Sequence, residues 1–157
     1  MHFSKHIRAA LLAFFVAVAL IPAAQAATLT QNEQTLLRAV NDVRGAHNLR
    51  PLQVDRKLVR AARDYSATLI RRDVFTHGSV GLRLARYGAR GPVYGENLAW
   101  GTGSQATARA IVRSWMASPG HRANLLRPGW TRIGVGSHVG TFLGYGGATV
   151  VTADFAG

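Results

Sequence analysis

The chain has 157 residues, a net charge of +12 and no cysteine. The lack of cysteine excludes disulfide bonds, thiolate nucleophiles and zinc sites built on thiolates. A basic charge attracts polyanions such as nucleic acid, anionic lipid headgroups and envelope polymers. Because the arginines are spread through several predicted helices and do not form one block, the sequence favours a solvated basic surface over a dedicated polyanion site.

The N-terminal segment, residues 1–26, has the three parts of a secretory signal peptide. Lys5 and Arg8 form a basic start, an apolar run of 13 residues covers 9–21, and Ala24-x-Ala26 is a typical cleavage pattern. The apolar run is shorter than the roughly 20 residues that a membrane-spanning helix needs, so cleavage is favoured over a membrane anchor. We therefore expect a secreted or periplasmic protein whose residues 27–157 form one domain without a transmembrane helix. Export argues against nucleic acid as a partner.

Helices are predicted in the first two thirds of this domain. Thr30 and Glu33 have the spacing of a capping box, which predicts a helix from there to about residue 47. Asp55 is a good N-cap for a second helix, whose apolar stripe contains Leu58, Ala61, Ala62, Tyr65 and Leu69. A short helix is expected over residues 82–87. A third substantial helix is expected to be capped by Ser104 and to end at the sequence S-P-G over residues 118–120.

The C-terminal part of the chain changes to the pattern of strands. Residues 93–100 are compatible with a strand or a loop, residues 133–139 alternate, and residues 148–155 are rich in β-branched side chains. A glycine-rich turn is expected over residues 140–147. Helices that precede strands in this way predict an α+β fold with an antiparallel sheet packed against helices.

Three polar residues at element boundaries are the candidates for chemistry. His77 follows the second helix, Glu96 stands among apolar neighbours, and His121 follows the S-P-G sequence. Two imidazoles and a carboxylate suit a zinc ion with an open position for water, or proton transfer between an acid and a base. Their separations match no local metal motif. The alternative is that the histidines bind backbone or Glu96 and only hold the loops in place.

Several segments in order along the chain resemble the CAP superfamily, which comprises cysteine-rich secretory proteins, antigen 5 and pathogenesis-related 1 proteins. The similarity is to the cysteine-free bacterial branch, often called SCP-like. The segments that carry it are N-D-V-R at 41–44, L-R-P-L at 49–52, the stretch 58–65, F-T-H at 75–77, G-E-N-L-A at 95–99, W-M-A-S-P-G-H-R-A-N-L-L at 115–126 and I-G-V-G at 133–136.

The resemblance implies an α-β-α sandwich with a central antiparallel sheet between helical layers. It also implies a cleft where His77, Glu96 and His121 meet, with Asn97 and Asn124 in supporting roles and the S-P-G turn aiming His121 inward. In eukaryotic members a second glutamate shortly after the tryptophan of the third helix completes the site. This chain has none there, so a zinc site would have three protein ligands.

Three classes of function are compatible with these residues. The preferred hypothesis is a secreted, non-enzymatic binding module that holds a lipid, an anionic envelope polymer, a metal or a protein partner through the His/Glu cleft. The alternative is a metal-dependent hydrolase or peptidase that uses His77, Glu96 and His121. Ser118 is better explained as a residue that ends a helix than as a nucleophile. In the third hypothesis the polar cluster only stabilises the fold.

Overall fold

A computed structural model describes residues 28–157, and the predicted signal peptide lies outside the described residues. In chain order the elements are α1 (Gln31–Ala46), β1 (Gln53–Val54), α2 (Arg56–Arg72), α3 (Val80–Arg86), β2 (Tyr94–Gly101), a 3-10 turn (Gly103–Ala106), α4 (Ala108–Ala117), α5 (Pro119–Leu125), β3 (Arg132–Phe142) and β4 (Tyr145–Ala156). Within this described part, no helix is both long and apolar enough to cross a bilayer.

The strands form one sheet in the order β1-β3-β4-β2, with helices on both faces. Helices α1 and α4 pack on one face, and α2 and α3 pack on the other. The predicted α-β-α sandwich is therefore confirmed. The long strands β3, β4 and β2 are antiparallel, as expected, but β1 pairs with β3 in parallel, so the sheet is mixed. A strand of two residues gives no period that a sequence pattern could reveal.

The predicted helix starts are confirmed at two places and wrong at a third. The Thr30 capping box is formed in both directions, and Asp55 accepts hydrogen bonds from the first backbone amides of α2. Helix α4 does not start at Ser104, because the chain first makes the 3-10 turn. The cap is Thr107, which is extended and whose hydroxyl accepts from the amide of Ala110.

The hairpin that joins β3 and β4 is tighter than predicted. Its connection is Leu143-Gly144, both at positive φ (49° and 82°), and the flanking residues pair as strands. Positive φ at both central positions is the requirement of the two-residue turns that suit the twist of a hairpin. Most of the expected glycine-rich turn over residues 140–147 is therefore strand.

Close contact between α2 and the sheet depends on two glycines of β3. A Cβ atom on Gly134 would lie 2.1 Å from the carbonyl carbon of Leu58, and one on Gly136 would lie 2.2 Å from the amide nitrogen of Arg63. Only glycine allows the helix backbone to approach this closely. On the opposite face, Trp115, Trp130 and the neighbouring apolar side chains form the largest core cluster.

A buried arginine joins helix α1 to the end of helix α5. Arg44 on α1 donates through Nε to the carbonyl of Arg50 at 3.0 Å, and through Nη1 to the carbonyls of Leu125 and Arg127 at 2.8 and 3.1 Å. The Leu125 carbonyl is the last of α5, where a cation is favoured by the helix dipole, and the Arg127 carbonyl lies two residues beyond. Arg44 therefore fixes the end of α5 against α1.

Candidate functional site

The S-P-G sequence at residues 118–120 starts a helix, whereas the sequence analysis expected it to act as a turn. Helix α4 ends at Ala117, Ser118 is extended, and Pro119 is the first residue of α5. Proline suits this position because its φ is already helical and its missing N–H would have no partner there. His121 therefore stands in the first turn of a helix, and the side-chain amide of Asn97 donates to its carbonyl at 3.0 Å.

Glu96 faces a second buried acid across the sheet. Strands β2 and β4 place Glu96 directly opposite Asp154, and both side chains are buried. Arg83 of α3 donates through Nη2 to Oε2 of Glu96 and to Oδ1 of Asp154, the latter at 2.9 Å. We call Glu96 and Asp154 the buried carboxylate pair. The guanidinium group of Arg83 therefore donates hydrogen bonds to both acids of the pair.

His77 completes this network at the surface. A hydrogen bond of 2.7 Å joins Nδ1 of His77 to Oε1 of Glu96, while 54% of the histidine side chain stays exposed. A carboxylate bound at Nδ1 fixes the ring orientation and leaves Nε2 as the nitrogen available to a ligand or substrate. The hydroxyl of Tyr65 donates to the carbonyl of Thr76 at 2.6 Å, which holds the loop that carries His77.

The charges of the site are set by burial. Loss of water raises the pKa of Glu96 and of Asp154 to about 7, and Arg83 opposes this effect in both cases. Because the acids interact and share one arginine, they titrate as a pair that retains a proton near neutral pH. Burial, and to a smaller extent electrostatic interaction with His77, lowers the pKa of His121. The contact that joins His121 to the strand of Glu96 is the hydrogen bond from the Asn97 side chain to the His121 carbonyl.

The two predicted supporting amides connect β2 to α5. The side-chain amide of Asn124 donates to the carbonyl of Glu96 at 3.0 Å and to the side-chain oxygen of Asn97 at 3.1 Å. Gly95 leaves space for Asn124 and Trp130, because a Cβ atom at this position would lie 2.7 Å from the Trp130 ring and 3.2 Å from Oδ1 of Asn124. The G-E-N sequence thus positions the acid, the linking amide and the helix that carries His121.

Arg83 and Asp154 are the site residues that the sequence analysis missed. Asp154 is a lone acid in an apolar strand, which is the same signal that selected Glu96. Arg83 carries no such signal, because it is one of many arginines on predicted helices. Its position is fixed by Tyr65, whose ring centre lies 3.7 Å from the guanidinium carbon.

The donor set is not arranged for zinc in this conformation. Both oxygens of Glu96 are engaged, one by His77 and the other by Arg83. Within residues 28–157, no three His, Asp or Glu side chains form a group that could hold a metal. Coordination of zinc through Oε1 of Glu96 would compete with the hydrogen bond to His77, and a zinc site of His77, Glu96 and His121 stays a prediction.

A pocket of about 380 Å³ lies on the opposite face of the sheet, between α1 and the start of α4. Its buried apolar residues are Leu36, Ile111 and Val151. The polar residues that line the pocket are Asn32, Glu33, Thr35, Thr107, Ser137 and Thr149, and the Glu33 carboxylate is paired with Arg63. Apolar walls with a few polar groups are typical of sites for small amphipathic molecules, whose volumes start at about 300 Å³.

Comparisons with known proteins agree with this architecture. The model of the CAP family, described as the cysteine-rich secretory protein family, matches residues 37–155. The Bacillus subtilis protein YkwD is 36% identical over 109 residues, which cover 66% of this chain and 41% of YkwD. The Bacillus subtilis membrane protein YlbC is 30% identical over 112 residues, which cover 68% of this chain and 32% of YlbC. The chain spans less than half the length of either relative.

Solved structures of SCP and CAP proteins have the same fold. An extracellular protein with an SCP domain from Bacillus anthracis superposes with a TM-score of 0.69 at 26% identity, over 82% of this chain and 44% of that one. An outer surface protein of Borrelia burgdorferi gives a TM-score of 0.66 at 22% identity, over 80% and 92% of the two chains. The match of the family model over residues 37–155 shows that this chain belongs to the CAP superfamily, and a bacterial SCP-domain protein has the same fold.

Proposed function

We propose that this protein is an exported, non-enzymatic binding module that takes a small amphipathic molecule, such as a lipid, into the pocket between α1 and α4. The observation that supports this most directly is the pocket itself, where buried Leu36, Ile111 and Val151 are surrounded by hydroxyl and amide groups and by the carboxylate of Glu33, which Arg63 neutralises. An acyl chain would be buried against the apolar residues, and its polar end would meet the surrounding hydroxyls. This proposal differs from the hypothesis drawn from the sequence, because the ligand would bind on the other face of the sheet and not in the His/Glu cleft.

The hydrogen bonds among His77, Glu96, Arg83 and Asp154, which we call the His/Glu network, also favour a ligand site elsewhere. Arg83 neutralises the buried carboxylate pair, and His77 is bound to Glu96. Nε of Arg83 and Oδ2 of Asp154 have no hydrogen-bond partner within residues 28–157, but both oxygens of Glu96 are engaged, so a ligand that binds Glu96 would have to replace His77 or Arg83. Its role in the proposal is to hold the loop at His77, strand β2 and helix α3 together.

Export of the protein is part of the proposal. It is supported by the signal-peptide pattern of residues 1–26. Two solved relatives point the same way, since one is described as extracellular and the other as an outer surface protein.

The test is a thermal-shift titration of residues 27–157 with laurate as the probe. Ligand at about 100 times its Kd stabilises the folded state by about 2.7 kcal/mol, which is a measurable rise in Tm. Ser137→Trp should fill the pocket and abolish the rise. Thr141→Trp, an exposed position on the same strand that does not line the pocket, should keep it. An equal rise in both variants, or none in the unmodified protein with laurate, would contradict the proposal.

A hydrolase is the second candidate, and the His77–Glu96 hydrogen bond of 2.7 Å is the observation that favours it. In this reading Glu96 orients the ring, and Nε2 of His77 accepts a proton from water that attacks the substrate. Calorimetric titration of zinc into the unmodified protein and into the His77→Ala, His121→Ala double variant tests metal binding. Ester or peptide turnover that disappears in the same double variant would favour the hydrolase over the binding module.

A further inference from the structure

An exposed aromatic cluster stands at the end of the sheet where β3 turns into β4. The ring of Phe75 contacts Phe142 edge-on with centroids 6.2 Å apart, and Trp100 contacts Phe142 at 5.7 Å and Tyr145 at 5.4 Å. Phe142 is fully buried, while 42% of Phe75, 42% of Leu143 and 57% of Tyr145 are exposed to solvent. We call Phe75, Leu143, Tyr145 and the partly exposed Trp100 the aromatic tip.

The aromatic tip is held firmly against the domain. Residue Asp73, which ends α2, accepts a hydrogen bond through its side chain from the amide of Leu143. Beneath the tip, Phe142 packs with Leu69 and Val150 in a core cluster of its own. Large apolar side chains are thus kept exposed on a rigid support, although their removal from water would be favourable.

The charge next to the aromatic tip is positive. Arg71 and Arg72 are exposed in the last turn of α2, and Asp73 is already bound to the hairpin. Further along α2, Arg56, Lys57 and Arg60 are also exposed, with Asp64, bound to the Tyr87 hydroxyl, between them and Arg71. Aromatic and aliphatic side chains flanked by arginines match the surface of an anionic bilayer, where rings lie at headgroup level and cations meet phosphates.

The aromatic tip lies on the same side of the sheet as the His/Glu network. Glu96 and Trp100 are four residues apart on β2, which places them on one face and separates them by roughly 13 Å. The loop after α2 carries Phe75 in the tip and His77 at the network. A surface bound at the tip would therefore lie next to the exposed ring of His77.

We propose that the aromatic tip docks the protein on the surface of an anionic lipid bilayer, with Phe75, Leu143 and Tyr145 in the headgroup region and Arg71 and Arg72 against lipid phosphates. This inference does not depend on a ligand in the pocket between α1 and α4. The two proposals are tested separately. Laurate binding without vesicle binding would support the pocket and contradict docking, and vesicle binding without laurate binding would do the reverse.

The test is co-sedimentation of residues 27–157 with vesicles of equal parts phosphatidylglycerol and phosphatidylcholine, compared with vesicles of phosphatidylcholine alone. We expect binding to the anionic vesicles that weakens as salt is added, because exposed charges are screened. The Phe75→Ser, Tyr145→Ser double variant should bind roughly tenfold more weakly or worse, since each ring contributes apolar area to the interface. The matched control is Val139→Ser, which removes a side chain that is 60% exposed elsewhere on β3.

A second measurement covers the case in which the double variant folds poorly. Trp100 is the partly exposed tryptophan of the tip, whereas Trp115 and Trp130 are buried. Brominated anionic lipid should therefore quench the fluorescence of the unmodified protein, and Trp100→Phe should lose most of this quenching. The proposal is overturned if the protein does not bind the anionic vesicles, if Val139→Ser weakens binding as much as the double variant, or if quenching persists in Trp100→Phe.

Discussion

Substitution of Gly134 by alanine tests the idea that α2 lies on the sheet only because β3 lacks side chains beneath it. The added Cβ would be 2.1 Å from the Leu58 carbonyl carbon and 2.3 Å from the Val59 amide nitrogen, more than 1 Å inside the ordinary contact distance of 3.4 Å. These are backbone atoms, so no rotamer change relieves the overlap. Overpacked cores lose about 1–3 kcal/mol, and we expect a loss at the upper end of this range, ~3 kcal/mol.

The assay is urea unfolding followed by circular dichroism, with thermal unfolding as a second measure. For a domain of this size a loss of ~3 kcal/mol corresponds to a fall in Tm of about 10 °C. Gly146→Ala is the matched control, because a Cβ atom at this β4 position meets nothing within 4 Å, and its effect should stay within about 0.5 kcal/mol. Equal unfolding free energies for the two variants would refute the reasoning. Because Gly134 pairs with Asp154, the variant should also disturb the buried carboxylate pair.

Three further predictions concern the site, a helix cap and the core. The raised pKa values of the buried carboxylate pair mean that the folded protein binds more protons than the unfolded chain between about pH 4 and 7, so stability from this pair falls as pH rises through that window. Asp154→Asn should reduce this fall without abolishing it, because Glu96 stays buried, and a Tm difference from the unmodified protein that is constant from pH 5 to 8 would count against the prediction. Thr107→Ala should lower the unfolding free energy by about 1 kcal/mol, because α4 loses its N-cap. Ser104→Ala should change it by no more than about 0.5 kcal/mol. If urea unfolding showed the larger loss for Ser104→Ala, Ser104 would be the N-cap after all. Trp115→Phe should lower the unfolding free energy by about 1 kcal/mol or more, because no indole N–H then donates to the buried Leu98 carbonyl. An unchanged midpoint of urea unfolding would contradict this prediction.

Features of the fold that depend on neighbours in sequence were predictable. The capping box at Thr30 and the cap at Asp55 involve residues within three positions of each other, and both are formed. Ser104 failed because several polar residues compete for the start of α4, and the 3-10 turn decides among them. Pro119 was ambiguous in the same way, since proline both follows one helix and begins another.

The candidate site could be predicted only in part, because its contacts cross the sheet. Glu96 and His77 were found as polar residues at unusual positions, and the structure joins them directly. Arg83 was not found, because nothing in the sequence distinguishes it from the other arginines, and its position is set by Tyr65 and two acids far away in the chain. The register of β2 on β4, which pairs Glu96 with Asp154, is likewise a tertiary property.

The three carbonyl contacts of Arg44 have a consequence for how the domain opens. Helix α5 has only seven residues, which is too short to be stable alone. Arg44 binds the carbonyls of Leu125 and Arg127 at and just beyond the end of α5, so opening α5 would leave this buried cation with only the Arg50 carbonyl of its three partners. The two helices should therefore open as one cooperative unit, and backbone amides of α5 should exchange with deuterium as slowly as those around Arg44. The segment that carries His121 would then be protected by a side chain from the other end of the domain.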